Sequence, residues 1–282
     1  MQTLETFFVF LDILGFKNVV YSNSTADLQK IIERFQSDFR VAVDKSRTYN
    51  NDKINIDSIN FRLISDSIII WSENDTFVSF RHILEATIAL LSYGLKNGFP
   101  LRGAMTHGEI IVAQDEGKRF FGQETVYGKA LVEACEFEKS FEWSGCIIAP
   151  SAWSVIKKIW SKELTSRDNA NAFFDTYPYL TWYKTPIKSQ KDKGVHFKSA
   201  IAINWNSFSA WDDKQSICPF IVRNSFSAYR NEVDSSDKLN NTLRFLDYTT
   251  KLQDYFFAPR EHKIKACSKI PVPTDNYQLD IE

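Results

Sequence analysis

Two aspartates stand where a carboxylate is costly. Phe7 to Phe16 reads FFVFLDILGF and Phe61 to Trp71 reads FRLISDSIIIW, strand-like apolar runs holding Asp12 and Asp66. A buried carboxylate costs several kcal/mol unless it is paired or bound to metal, so two of them in such runs call for a shared cation or another partner. Taken singly, each is equally well explained as a strand-end aspartate capping the next turn. Asp12 is followed by Ile13, Leu14 and Gly15 before a helical pattern begins. A glycine there lets backbone N–H groups approach a phosphate, and the aspartate can hold a hard cation next to it. That is the layout of a metal-nucleotide site.

The elements that must position these residues follow from apolar spacing. Ser24-Thr25-Ala26-Asp27 has capping-box character, and Leu28, Ile31, Ile32, Phe35 and Phe39 fall on one helical face behind it. Ile54 to Asp57 and Ile59 to Trp71 read as a hairpin or adjoining strands with Asp66 near the turn. Phe80 to Asn97 reads as a helix stopped by Gly98 before Pro100, and Leu101 to Val112 as a strand. A third helical region covers Glu124 to Phe141, then a strand Cys146 to Ala149, a helix Ala152 to Lys162 and a strand Leu180 to Lys184. This order predicts an α+β fold of split βαβ units, an antiparallel sheet with helices on one face. Past Trp205 the pattern turns helical, with Leu239, Leu243, Leu246 and Tyr255-Phe256-Phe257 at helical spacing. The expected division is 1–205 as the core domain and 206–282 as a C-terminal helical extension packed on it or on a second subunit.

The segments DILGF and LISDS resemble the two metal-binding segments of the class III nucleotide cyclases. Leu101 to Gly108 (LRGAMTHG) is similar to that family's Arg-x-x-x-x-x-Gly strand, and Glu124 to Ala134 (ETVYGKALVEA) to its dimer-interface segment. The resemblance implies a ferredoxin-like palm cyclase core. It implies two Mg2+ or Mn2+ ions per site at Asp12, Ile13 and Asp66, with Asp12 and Asp66 catalytic. A ribose 3'-hydroxyl would then attack its own α-phosphate and release pyrophosphate. It further implies phosphate contacts from Gly15, Phe16 and Lys188, and a head-to-tail homodimer with shared sites. Lys188 reads equally well as a solvated loop lysine. Arg102 either faces the metals or braces the sheet through an ion pair, the second being favoured, and His107 is left without a role.

Departures from the family pattern bear on the substrate. Adenine-specific members carry a lysine four residues before the second metal aspartate and an aspartate three residues before the interface glycine; Arg62 and Thr125 stand there. The glutamate and cysteine pair expected for guanine is missing too. Arg62 supplies only donors and Thr125 either donates or accepts, which suits the two carbonyls and one N–H of uracil better than adenine. Cytosine is less well matched. The expected substrate is a pyrimidine nucleoside triphosphate, UTP giving cyclic UMP, with CTP giving cyclic CMP as the alternative. This pattern, with YGKALVEACEFE and the helical tail, resembles the pyrimidine cyclases of bacterial Pycsar antiphage systems, which implies a messenger read by a separate effector. The asparagine and arginine of typical cyclases align with Val132 and Glu136. A non-catalytic nucleotide-sensing module and a polymerase-like nucleotidyltransferase are the rival readings.

Composition narrows the field. A net charge of -1 over 282 residues argues against nucleic acid as a partner, since that needs a basic excess. An apolar share of 44% with 23 Phe can fill a sizeable core. The four cysteines, Cys135, Cys146, Cys218 and Cys267, have no CxxC spacing, which suggests reduced thiols rather than a zinc site or disulfides. The start has no basic n-region and no window is long enough to span a bilayer, so the expected compartment is the cytoplasm, with no membrane partner.

Overall fold

The computed structural model describes residues 2–48, 59–113, 125–163, 179–188, 194–210, 216–231, 236–257 and 279. Cys267, Glu124 and the strand expected at Ile54 to Asp57 lie outside the described residues. The strands are β1 (Gln2–Ile13), β2 (Ile59–Ile64), β3 (Ser67–Ser72), β4 (Leu101–Ala113), β5 (Thr125–Gly128), β6 (Gly145–Ile148), β7 (Leu180–Lys188) and β8 (Val195–Ile203). They form one sheet in the order β2-β3-β1-β4-β6-β8-β7, with β5 paired to β4. The helices are α1 (Phe16–Ser22), α2 (Thr25–Thr48), α3 (Phe77–Asn97), α4 (Lys129–Ser140), α5 (Pro150–Glu163), α6 (Pro219–Ser227) and α7 (Ser236–Phe257).

β3 lies between β1 and β2, and β1 between β3 and β4, all antiparallel. These are two interlocked split βαβ units, the ferredoxin-like arrangement, so the α+β expectation holds. The sheet as a whole is mixed, because β4 and β6 run parallel across the α4 crossover.

Side-chain alternation explains how the layers stack. Phe7, Val9, Leu11 and Ile13 of β1 enter the main core with Ile31 and Phe35 of α2 and Ile83, Leu84 and Ile88 of α3. Phe8 points to the other face, into a smaller cluster with Ile69, Trp71, Ile110, Val112 and, from α4, Ala130 and Ala134. Helices on one face therefore describes α2 and α3, while α4 covers the opposite face. A strand covered on both faces reads as a continuous apolar run, as β1 does.

Local signals set most boundaries. Ser24 Oγ accepts the Asp27 backbone N–H at 3.2 Å, as a cap should. Helix α3 stops at Gly98, which is left-handed at φ 89 and returns its N–H to the Gly94 carbonyl. The helix expected from Glu124 begins only at Lys129. Thr125–Gly128 is a strand instead, because pairing with β4 lets Val126 pack against the Ile110 and Val112 cluster. Two elements were not anticipated, β8 and α6. Beyond residue 205, Val222 and Phe226 of α6 and Phe245 and Leu246 of α7 belong to the main core. Phe245 meets Trp143 edge-on at 4.5 Å and Tyr183 at 4.8 Å.

The β1–β4 pairing that carries Asp12 leaves no room for a side chain at Gly103. A Cβ there would fall 1.9 Å from the Phe10 carbonyl oxygen, a backbone atom that cannot step aside. Gly103→Ala is expected to cost at least about 1–3 kcal/mol in urea unfolding. Unchanged stability would show that the two strands do not approach this closely.

Candidate active site

Asp12 lies near the end of β1, on the α4 face of the sheet. Its direct cross-strand neighbours are Ser67 on β3 and Arg102 on β4. Ser67 Oγ donates to Asp12 Oδ1 at 3.1 Å. Asp66 occupies the turn between β2 and β3, next to Ser65 with its left-handed φ of 57°. The Asp66 carbonyl accepts the Ile13 N–H at 3.2 Å, which ties the hairpin turn to the end of β1. The two aspartates thus meet at one corner of the sheet.

A third carboxylate enters from above. Ala130, Ala134 and Glu138 recur every four residues along α4 and form a buried stripe against the sheet. Two alanines let the helix approach closely, and Glu138 at the end of the stripe meets Arg102, Nε to Oε1 at 2.5 Å. Arg102 also donates through an Nη to the Phe141 carbonyl at 2.8 Å. Arg102 therefore takes the bracing role favoured from the sequence, through its ion pair to α4, and has Asp12 as its cross-strand neighbour. Glu138 went unrecognised in the sequence, although the Ala-x-x-x-Ala-x-x-x-Glu spacing was its signal.

Electrostatics follow from this crowding. Burial pushes the Asp12 carboxyl up to about 7, the charges of Glu138 and Asp66 push the same way, and Arg102 and the Ser67 hydroxyl oppose them. The Asp12 carboxyl therefore titrates near neutral pH rather than in the usual carboxylate range.

Among the described residues no group of three or more His, Cys, Asp or Glu is arranged to hold a metal ion. What the corner offers is two hard carboxylates and backbone oxygen. That set fits Mg2+, which is commonly held by one or two carboxylates plus substrate phosphates rather than by a full protein cage. Ile13 is 2% exposed with an aliphatic side chain, so it can serve only through its backbone. When bound, a divalent cation there would neutralise phosphate charge and acidify an attacking hydroxyl.

The remaining predicted residues are placed unevenly. Gly15 caps α1 in the left-handed region, with Phe16 opening that helix. Arg62 pairs with Ile69, whose other partner is Phe10, so it shares the Asp12 face. Its guanidinium lies over the Trp71 ring at 5.6 Å and donates to the Phe61 carbonyl at 2.7 Å. Thr125 is exposed and pairs with Ala113, whereas the Arg62 row meets β4 at Ala104, nine positions away. The register does not bring Thr125 alongside Arg62. Lys188 is exposed at the end of edge strand β7, next to Ile187, which bridges to Phe141 just after α4. Val132 and Glu136 lie on the exposed side of α4. His107 faces the opposite side of the sheet from Asp12, edge-on to Phe7 at 5.1 Å and between Glu5 and Asp75. Burial lowers its basicity. Cys135, Cys146 and Cys218 are free thiols. No helix of the described residues is long and apolar enough to cross a membrane.

No family model matches the chain, and no curated protein matches its sequence. Solved structures with a similar chain course include the guanylate cyclase domain of a Catenaria anguillulae protein in complex with GTP. Its TM-score is 0.46 at 13% identity, over 72% of this chain and 98% of that one. The adenylyl cyclase CyaB from P. aeruginosa gives 0.42 at 12% identity, over 77% and 100%. A bacterial light-regulated adenylyl cyclase gives 0.43 at 11% identity, over 72% of this chain and 52% of that one, so the chain spans about half of it.

Proposed function

We propose that this chain is a nucleotide cyclase acting on a pyrimidine triphosphate, converting UTP to 3',5'-cyclic UMP and pyrophosphate. The observation that carries the reading is the corner where Ile13 and Asp66 are hydrogen-bonded, Asp12 and Ser67 are paired, and Asp66 acts on the Asp12 carboxyl. On this reading Asp12 and Asp66 hold Mg2+ or Mn2+, and the ribose 3'-hydroxyl attacks the α-phosphate in line with the departing pyrophosphate. The chain's own part is positioning and charge, so no protein nucleophile is required.

Arg62 directs its donors to the uracil carbonyls. Thr125 would join it only across an interface between two copies, in keeping with a homodimer, and Gly15, Phe16 and Lys188 would contact phosphate. The product would serve as a messenger in antiphage defence, read by a separate effector. CTP is the second substrate to consider.

Val132 is 57% exposed and Glu136 is exposed, where typical cyclases place polar transition-state groups. That observation favours a second reading, a nucleotide-sensing module without turnover.

Incubating the purified chain with each of the four NTPs and Mn2+, with products separated by chromatography, decides among these. Cyclic UMP is expected as the main product, with cyclic CMP second. Cyclic AMP or cyclic GMP as the main product removes the pyrimidine assignment. Nucleotide binding with no product from any of the four establishes the sensing module.

A further inference from the structure

We infer that residues 228–231 form a clasp on the turn after β1, which makes Asn231 a positioning residue for Asp12 and Ile13. The inference rests on the proposed role of the Asp12 and Asp66 corner and gives the segment beyond residue 205 a part in it.

The turn is tied down residue by residue. The Ile13 N–H goes to the Asp66 carbonyl at 3.2 Å and the Leu14 N–H to the Pro100 carbonyl at 2.9 Å. The Leu14 carbonyl is held by the Asn231 side chain, whose Nδ2 donates to it at 2.7 Å across 217 residues of sequence. Asn231 is fully buried. Gly15 follows at φ +76, and a Cβ on it would fall 2.0 Å from Asn231 Oδ1, so the amide fills the space that Gly15 leaves open. That oxygen is buried and makes no hydrogen bond. A buried acceptor left unsatisfied in a well-packed place calls for an explanation, and holding the turn supplies one.

The clasp is itself held under strain. Tyr229 and Arg230, consecutive and neither of them glycine, have φ values of 55° and 59°. Such backbone persists only where surrounding contacts over-determine it. Tyr229 stacks on Phe99 at 4.9 Å and donates its hydroxyl to the Asn97 carbonyl at 3.0 Å. Its carbonyl accepts from Asn23 Nδ2 at 2.8 Å, and Arg230 donates to the Ser22 carbonyl at 2.9 Å. Ser22 and Asn23 close α1, while Leu14 and Gly15 open it. The clasp therefore grips both ends of the short helix that follows the aspartate, and fixes the backbone one to two residues beyond it.

Groups that orient a metal-holding residue commonly change metal affinity by 10–100-fold when removed. The test uses the full chain and Mn2+ alone, titrated by electron paramagnetic resonance, with far-UV circular dichroism and thermal melting in parallel. Asn231→Ala and the similarly sized Asn231→Leu both lose the donor to Leu14, and both are expected to bind Mn2+ at least about 10-fold more weakly with secondary structure retained. Asp12→Asn is the control. If it binds Mn2+ like the parent, the corner is not a metal site and the proposed function falls with it. If it loses Mn2+ while both Asn231 variants retain parental affinity, the clasp inference alone is overturned, whatever their melting temperatures. Should both Asn231 variants fail to fold, Tyr229→Phe, which deletes only the hydroxyl on Asn97, is read by the same titration. Weaker binding upholds the clasp and unchanged binding overturns it.

Discussion

Asp12→Asn is expected to cut turnover on the order of 10³-fold, the scale of losing cation-mediated charge stabilisation of a phosphoryl transition state, and at the same time to stabilise the metal-free protein at pH 8. The two effects share one cause. Burial, then Glu138 and Asp66, raise the Asp12 carboxyl from 3.8 to about 7 in the folded state. A carboxyl that binds its proton more tightly when folded favours the fold below about pH 4, and that contribution is lost as pH rises through about 7. Above that, the ionised side chain is a net cost of at most about 4 kcal/mol, at about 1.4 kcal/mol for each of the roughly three pH units between the two values. Asparagine keeps the shape and carries no charge, so it escapes the cost. In EDTA, the parent should lose melting temperature from pH 5 to pH 8 more steeply than the variant. With Mn2+ at pH 8 the order should reverse, because only the parent gains a ligand that offsets the charge. Parallel pH profiles in EDTA would mean that Asp12 is not strained by burial at all.

The corner was partly legible in the sequence because Asp12 interrupts an apolar strand, where a carboxylate stands out against its neighbours, whereas Asp66 sits not in a strand but in the turn between β2 and β3. The two split βαβ units were legible for a related reason, since helical and strand spacing alternate cleanly through Val112. Glu138 was harder to see. Its meaning depends on Arg102 lying opposite Asp12 on β4, which is a fact of strand register rather than of local pattern. The Thr125–Gly128 strand was hidden by the strong helical signal that follows it, and only pairing with β4 separates the two. Asn231 was out of reach altogether, because a side-chain bond spanning 217 residues leaves no periodicity behind. Local patterns thus located the charges, whereas the groups that hold them in place come from tertiary packing.

Arg102 and Glu138 illustrate how much that packing is expected to matter. Their side chains are 15% and 5% exposed, and the pair bridges α4 to the strand beside Asp12. A buried ion pair adds little net stability, yet removing one member strands the other, at about 3–5 kcal/mol. Glu138→Ala should fall near the low end of that range, because the freed guanidinium can turn to Asp12, its cross-strand neighbour. That rescue has a functional consequence: an aspartate captured by Arg102 competes poorly for a cation, so Mn2+ affinity and turnover should drop together. Arg102→Met leaves Asp12 and Glu138 facing each other without the intervening positive charge, and its stability should fall further as pH rises and Asp12 ionises. The double variant Arg102→Met with Glu138→Ala removes both buried charges. It should therefore be more stable than the two single losses predict, with a coupling of at least about 1–3 kcal/mol in urea unfolding. Additivity within about 0.5 kcal/mol would show that the pair does not work as a unit.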